Sequence, residues 1–205
     1  IKDWQNKPTN AIEGVDYFKI NGVKYPFSVK TPDPDEYVDI QTHKKQVAYI
    51  SDYFKKMFKA VFDHDYNEFI KYADVDSFVD YFLINEFTSN YDAGSKSTYI
   101  YKGVDGKLHM CVWDFNNAFD NYQENETSYR IFALQDGLWY DMLFKDERFV
   151  ERVIERYYEL EKTYLNAEYM NDYIDSVIEY LGPAIDRNFE KWGHTFNPEW
   201  DRLFD

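Results

Sequence analysis

Apolar side chains recur at Tyr37, Ile40, Val47, Ile50, Phe54, Met57, Phe58 and Val61. Spacing by threes and fours turns such residues to one side of an α-helix, whereas a strand would scatter them over both faces. A helix with so long a stripe is marginal alone in water and gains its stability by packing, so the rest of the chain has to supply a surface for it. Asp33-Pro34-Asp35-Glu36 offers an N-cap, a proline at the first helical position and an acid at the third, which predicts the helix start at Asp33. A second helix is predicted from Asp74 or Asp76 to about Thr88, burying Val79, Phe82, Leu83 and Phe87. Helical periodicity returns over 138–144, 148–165 and 169–192, with a bend expected at Gly182-Pro183.

Between these helices lie two β-prone stretches. Tyr17-Phe18-Lys19-Ile20 and Val23-Lys24-Tyr25-Pro26-Phe27 flank Asn21-Gly22, the dipeptide best suited to a type I′ turn. Thr98-Tyr99-Ile100-Tyr101 and Lys107-Leu108-His109-Met110-Cys111-Val112-Trp113 flank Gly103-Val104-Asp105-Gly106 and predict a second hairpin. The expected class is α+β, predominantly helical, and the absence of repeats or low-complexity linkers reads as one domain over 1–205.

Composition narrows the function classes. Aromatic residues at 20% and hydrophobic residues at 44% exclude a disordered segment. With 38 Asp and Glu against 23 Lys and Arg, the net charge of −15 repels a phosphate backbone, so nucleic acid is not an expected partner and a basic protein or a metal-bound phosphate is. Cys111 is the only cysteine, so no intrachain disulfide forms. No apolar run approaches the roughly 18 residues of a membrane helix, and no membrane span is expected. The chain opens Ile1-Lys2-Asp3-Trp4 and reads as a piece of a longer protein.

The second hairpin organises the chemistry. Antiparallel pairing about its turn brings Asp114 level with roughly Ser95, so Asp92, before the first strand, and Asp114, after the second, are expected at one end of the hairpin although they are 22 residues apart. Converging carboxylates repel, and such a pair is usually kept to hold a divalent cation or to divide acid and base roles. Glu86 falls on the apolar side of the second helix, where a carboxylate needs partners; capping of loop amides is the favoured reading. Asn85, Glu86, Asn90 and Asp92 leave the end of that helix as a polar cluster. Protein kinases use this order of parts: a base-bearing loop, a short hairpin, then an Asp-Phe pair that holds Mg²⁺.

Phe82-Leu83-Ile84-Asn85-Glu86, Asn90-Tyr91-Asp92-Ala93-Gly94, Ser97-Thr98-Tyr99-Ile100-Tyr101-Lys102, Gly106-Lys107-Leu108 and Trp113-Asp114-Phe115-Asn116-Asn117-Ala118-Phe119-Asp120-Asn121 together resemble the signature of the CotH family, spore coat protein H and its relatives. The resemblance implies the C-terminal lobe of an atypical protein-kinase-like fold, with the N-terminal nucleotide lobe outside this chain. It implies Mg²⁺ and ATP as cofactors and transfer of the γ-phosphoryl group to Ser or Thr of a basic, Ser-rich coat or surface protein. The implied location is the spore coat or cell surface of a bacterium.

Carried over position by position, Asp92 matches the catalytic aspartate and Asp114 the metal aspartate. Asn116 stands where many members have a second metal Asp, and Ser97 where some have a metal-binding Asn; Ser97 and Asn90 are the expected contacts to the cofactor. These departures keep open a non-catalytic module that binds protein or glycan. The fragment alone is expected to be inactive, since its eight glycines form no phosphate-cradling loop and no paired lysine is evident. Trp113 and Phe115 read as packing residues, the four histidines as surface or strand residues, and Tyr157, Tyr158, Tyr164, Tyr169 and Tyr173 as core and rim.

Overall fold

The computed structural model describes residues 10–32, 39–90, 93–94, 97–116, 118–119, 134 and 139–192. In chain order these form β1 (Tyr17–Phe18), β2 (Phe27–Ser28), α1 (Ile40–Phe62), α2 (Tyr66–Tyr72), α3 (Val75–Phe87), β3 (Tyr99–Lys102), β4 (Leu108–Cys111), α4 (Tyr140–Leu143), α5 (Glu147–Glu161), α6 (Ala167–Leu181) and α7 (Ala184–Trp192). The class is α+β and mostly helical, as the periodicity predicts, with two separate antiparallel sheets. Two compact units divide the chain, Ile1–Arg156 and Tyr157–Asp205.

In the first unit α1 carries the predicted stripe. Val47, Phe54, Met57, Phe58 and Val61 are buried, while Ile40, at the first turn, is exposed. The proposed start at Asp33 lies outside the described residues, and the cap of α1 is Asp39, whose carboxylate accepts from the amides of Gln41 and Thr42 at 3.0 and 3.1 Å. Asp65 and Asp74 cap α2 and α3 in the same manner, satisfying amides that have no partner inside a first helical turn. Helix α2 is too short for its period to stand out in the sequence.

Phe54 meets Phe18 and Phe27 of the first hairpin at 5.3 and 5.1 Å between ring centroids, and Phe58 meets Trp139 edge-on at 4.9 Å. A second cluster joins Phe69 to Phe78 and Phe82 to Phe144, and the Tyr140 hydroxyl donates to the Phe78 carbonyl at 2.9 Å. Removing one such ring costs roughly 3–5 kcal/mol, a large part of a domain's net stability. Arg152 and Arg156 of α5 then clip onto Asp76 and Asp80 of α3, each at 2.7 Å.

The first hairpin departs from expectation. Asn21 is not among the residues of positive φ, and only Gly22 is, at +87°, so the turn is not type I′, which needs positive φ at both positions. The strands pair only at Tyr17↔Ser28 and Phe18↔Phe27. Pro26, beside that register, has no amide to extend the ladder.

In the second unit α6 begins at the cap Asn166 and ends at Gly182, φ +48°, where the sequence predicts a bend; α7 starts afresh after it. Neither helix buries a residue. Tyr157, Tyr158, Tyr164, Tyr169 and Tyr173 are all exposed, which corrects the core part of the core-and-rim expectation. Several of them pack on one another, with Tyr169 and Tyr173 stacked at 6.4 Å.

Candidate functional site

The second hairpin forms as the sequence dictates, with register Tyr99↔Cys111, Ile100↔Met110, Tyr101↔His109 and Lys102↔Leu108. Its turn closes through Gly103 N to Lys107 O at 2.7 Å, with Gly106 in the left-handed region at φ +85°. Two attachments hold it on α3: the Asp74 amide donates to Leu108 O at 2.9 Å, and the Met110 amide donates to Ser77 Oγ at 3.2 Å.

The hairpin has two chemically different ends. At the turn end His109 lies between two carboxylates, Nε2 at 3.0 Å from Asp105 Oδ2 and Nδ1 at 3.6 Å from Asp74 Oδ1, with its ring stacked on Tyr101 at 5.2 Å. Asp105 also accepts the Lys107 amide, which together with His109 holds its carboxyl below the usual value. These three side chains can gather about a cation, but His109 Nε2 and both carboxylates already have hydrogen-bonding work in the fold. Gly103 belongs to this cluster: a Cβ there would stand 2.5 Å from Asp105 Oδ1 and 2.7 Å from His109 Nε2.

At the open end stand Ser97, before β3, and Asp114, after β4. Both hold positive φ, +44° and +59°, as do Ser89 and Phe119 nearby. Non-glycine residues in this region cost on the order of 1–3 kcal/mol each and collect where function requires them. Asp114 and Asn116 are both exposed residues. Asp92 lies outside the described residues.

Asn90 donates its backbone amide to Asn85 O and its side-chain amide to Asn85 Oδ1, both at 2.9 Å, and the Ala93 amide returns to Asn90 O at 3.0 Å. The segment following Asp114 folds back onto this loop, with the Phe119 amide donating to Thr88 O at 2.6 Å. The loop after α3 and the segment after β4 therefore meet. Glu86 does what a carboxylate near an apolar helix face must: its Oε1 accepts the Leu134 amide.

Beside the open end lies a cavity of about 510 Å³, walled by Phe18 and Phe27 of the first hairpin, Tyr49 and Tyr53 of α1, and Tyr99 and Trp113 of the second. Trp113, 58% exposed, faces Tyr99 at 5.3 Å between ring centroids, and Asp114 follows it directly. Lys30 and Lys102 also line the cavity; the Lys102 ammonium lies 4.8 Å from the Tyr53 ring centre.

A family model described as CotH kinase protein matches residues 5–203. The chain belongs to the CotH kinase family. No curated protein and no solved structure matches it. Membership makes the protein kinase-like, a class that uses ATP and a metal in general. Among the described residues no helix is long and apolar enough to cross a membrane.

Sequence reasoning missed two polar residues in this CotH site. Tyr81, one helical turn before Asn85, is buried and places its hydroxyl 3.1 Å from Thr98 Oγ1, which accepts the Gly94 amide at 3.0 Å. Burial pushes the Tyr81 phenol above its ordinary pKa. The available signal was a polar-tipped residue at a core-facing helical position, which reads as ordinary packing until its partner is known.

Proposed function

We propose that this chain is the C-terminal catalytic lobe of an atypical protein kinase that phosphorylates Ser or Thr hydroxyls of basic coat or surface proteins at a bacterial spore or cell surface. One observation carries the reading. Asp114 emerges beside an aromatic-walled cavity, on a segment that hydrogen-bonds through Phe119 to the loop bearing Asp92.

The residues fit a metal-bound nucleotide. A planar base suits walls of Tyr and Trp in a cavity within the usual size range of small-molecule sites. Asp114 and Asn116, both exposed, carry oxygens, the ligand atoms that Mg²⁺ prefers. Ser97, at the same end of the hairpin, is the nearer phosphate contact, and Asn90 supports the loop from inside. Bound Mg²⁺ and ATP supply the phosphoryl group. The chain's own part is to orient the acceptor hydroxyl and take its proton on the Asp92 carboxylate, while Asp114 and Asn116 would hold the Mg²⁺, which when bound would offset phosphate charge.

The nucleotide lobe is assigned to sequence outside this chain, so the activity belongs to the intact protein and the fragment alone is inactive. A non-catalytic scaffold is the second reading, favoured by the amide at Asn116 in place of a second carboxylate. Titration calorimetry of the full-length protein separates them: Mg²⁺-dependent heat on adding ATP supports the kinase, and no heat supports the scaffold. Asp92→Ala should keep that heat while abolishing phosphate transfer to a basic Ser-rich peptide, and retained transfer would remove Asp92 from its role.

A further inference from the structure

Helix α6 of the second unit buries none of its residues, yet its side chains are sorted around it. Glu168, Asp172, Asp175 and Glu179 recur at intervals of four, three and four, which sets them along one side of the helix. Tyr169, Tyr173 and Tyr180 each follow one of these acids directly, so a stripe of tyrosines runs alongside the acidic one. Tyr173 is 57% exposed and Tyr180 88%. Single exposed aromatics are ordinary, but a continuous stripe marks a surface that meets something. The acids carry a cost of their own. Like charges three and four residues apart destabilise a helix, and Glu179 stands in the last turn, at the negative end of the dipole. Among the described residues none of the four is paired with a cation, whereas Asp76 and Asp80 of the first unit each hold an arginine.

We infer that the tyrosine stripe of α6 and the acids beside it form a docking surface for an extended, Lys- and Arg-rich segment of another protein. A cation over an aromatic ring is attracted to its face, and a carboxylate one residue away adds charge of the right sign. The apolar stems of lysine and arginine cover the rings while their charged heads reach the acids. Charge decides among occupants. The anionic surface of a membrane and the phosphates of nucleic acid are repelled by four unpaired carboxylates. A second copy would set its own acids against these, like against like. That the docked segment belongs to the protein receiving phosphate rests on the phosphoryl-transfer reading; the docking itself rests on α6 alone. Holding the acceptor protein here raises the local concentration of its hydroxyls without touching the reacting atoms.

The test uses the full-length protein and a fluorescein-labelled Lys-Arg-Ser repeat peptide. Anisotropy titration should show binding that weakens with added salt, and none with a Glu-Gly-Ser repeat of the same length. Glu168→Gln, Asp172→Asn, Asp175→Asn and Glu179→Gln combined should weaken binding at least about tenfold and remove most of its salt dependence. Tyr173→Leu with Tyr180→Leu should weaken it about fivefold, and Tyr173→Phe with Tyr180→Phe, which keeps the rings, should leave it within about twofold. These side chains are exposed, so every variant should melt no lower than the wild type by more than about a degree. In phosphate transfer to the same peptide, KM for the peptide should rise by the same factors, with kcat and KM for ATP unchanged.

Equal affinity of the basic peptide for the wild type and the two weakened variants overturns the docking surface, as does equal binding of the acidic peptide. Dimerisation in sedimentation velocity that Tyr173→Leu with Tyr180→Leu abolishes gives the face to a second copy, and flotation with phosphatidylglycerol vesicles that the same variant loses gives it to a membrane; either result overturns the proposal. Weaker binding with an unchanged KM for the peptide overturns the link between docking and phosphate transfer. If the wild-type protein transfers no phosphate, the proposed function is what fails; anisotropy then decides the docking surface alone.

Discussion

The two ends of the β3–β4 hairpin carry similar side chains in opposite circumstances. At the turn end Asp105 is hydrogen-bonded to His109 and to the Lys107 amide, Asp74 caps α3 through the Ser77 amide, and His109 Nδ1 lies 3.6 Å from Asp74. At the open end Asp114 and Asn116 are exposed, and the backbone around them is held in left-handed conformations at Ser97, Asp114 and Phe119. A carboxylate that stabilises the fold is recognised by amides and cations already on it. One retained for chemistry is recognised by exposure on a costly backbone.

Charge removal is the sharpest way to break this contrast. Asp114→Asn, which tolerates the left-handed backbone and keeps the volume, should lower phosphate transfer by the intact protein at least about 100-fold with no loss of thermal stability. Asp105→Asn should leave transfer within about twofold. Equal losses in the two variants would erase the distinction between the ends. Adding charge sharpens it: Asn116→Asp should raise Mg²⁺ affinity about five- to tenfold in calorimetry, since a second carboxylate joins the site.

Asp74→Ala should act on folding alone, costing about 1 kcal/mol in denaturant unfolding through loss of the α3 cap, with activity per folded molecule retained. The smallest effect is in acid. The Lys107 amide and then His109 hold the Asp105 carboxyl below the ordinary aspartate value. A lowered folded-state pKa stabilises above the unfolded value, and that contribution disappears as pH falls through the folded one. Asp105→Asn should therefore flatten the decline of stability below about pH 4, read as a shallower fall of Tm with pH.

Much of this frame was legible in the sequence where a period or a turn residue is decisive. The α1 stripe, the span of α3 and the Gly103–Gly106 turn follow from local rules and form as expected. Boundaries were weaker, because several aspartates compete as caps, and the one that caps α1 is Asp39, through the amides of Gln41 and Thr42. The hairpin register was legible, and by it Ser97 and Asp114 leave the same end; the expected convergence of Asp92 with Asp114 involves a residue outside the described ones. Two things were not legible. Asn90 faces inward, and Tyr81 pairs with Thr98, because hydrogen bonds between residues far apart in sequence leave no periodic trace. The second unit's tyrosines recur at helical spacing, and that spacing does not say whether a neighbouring surface covers them.

Gly103 gives the turn end a consequence for variation. Its torsion is one that any residue can adopt, since it is not among the positive-φ glycines, yet a single methyl would push into Asp105 and His109. A saturation library scored for folding should return glycine at this position for want of space. The variants that survive should be those in which the imidazole swings aside and gives up its hold on the carboxylate.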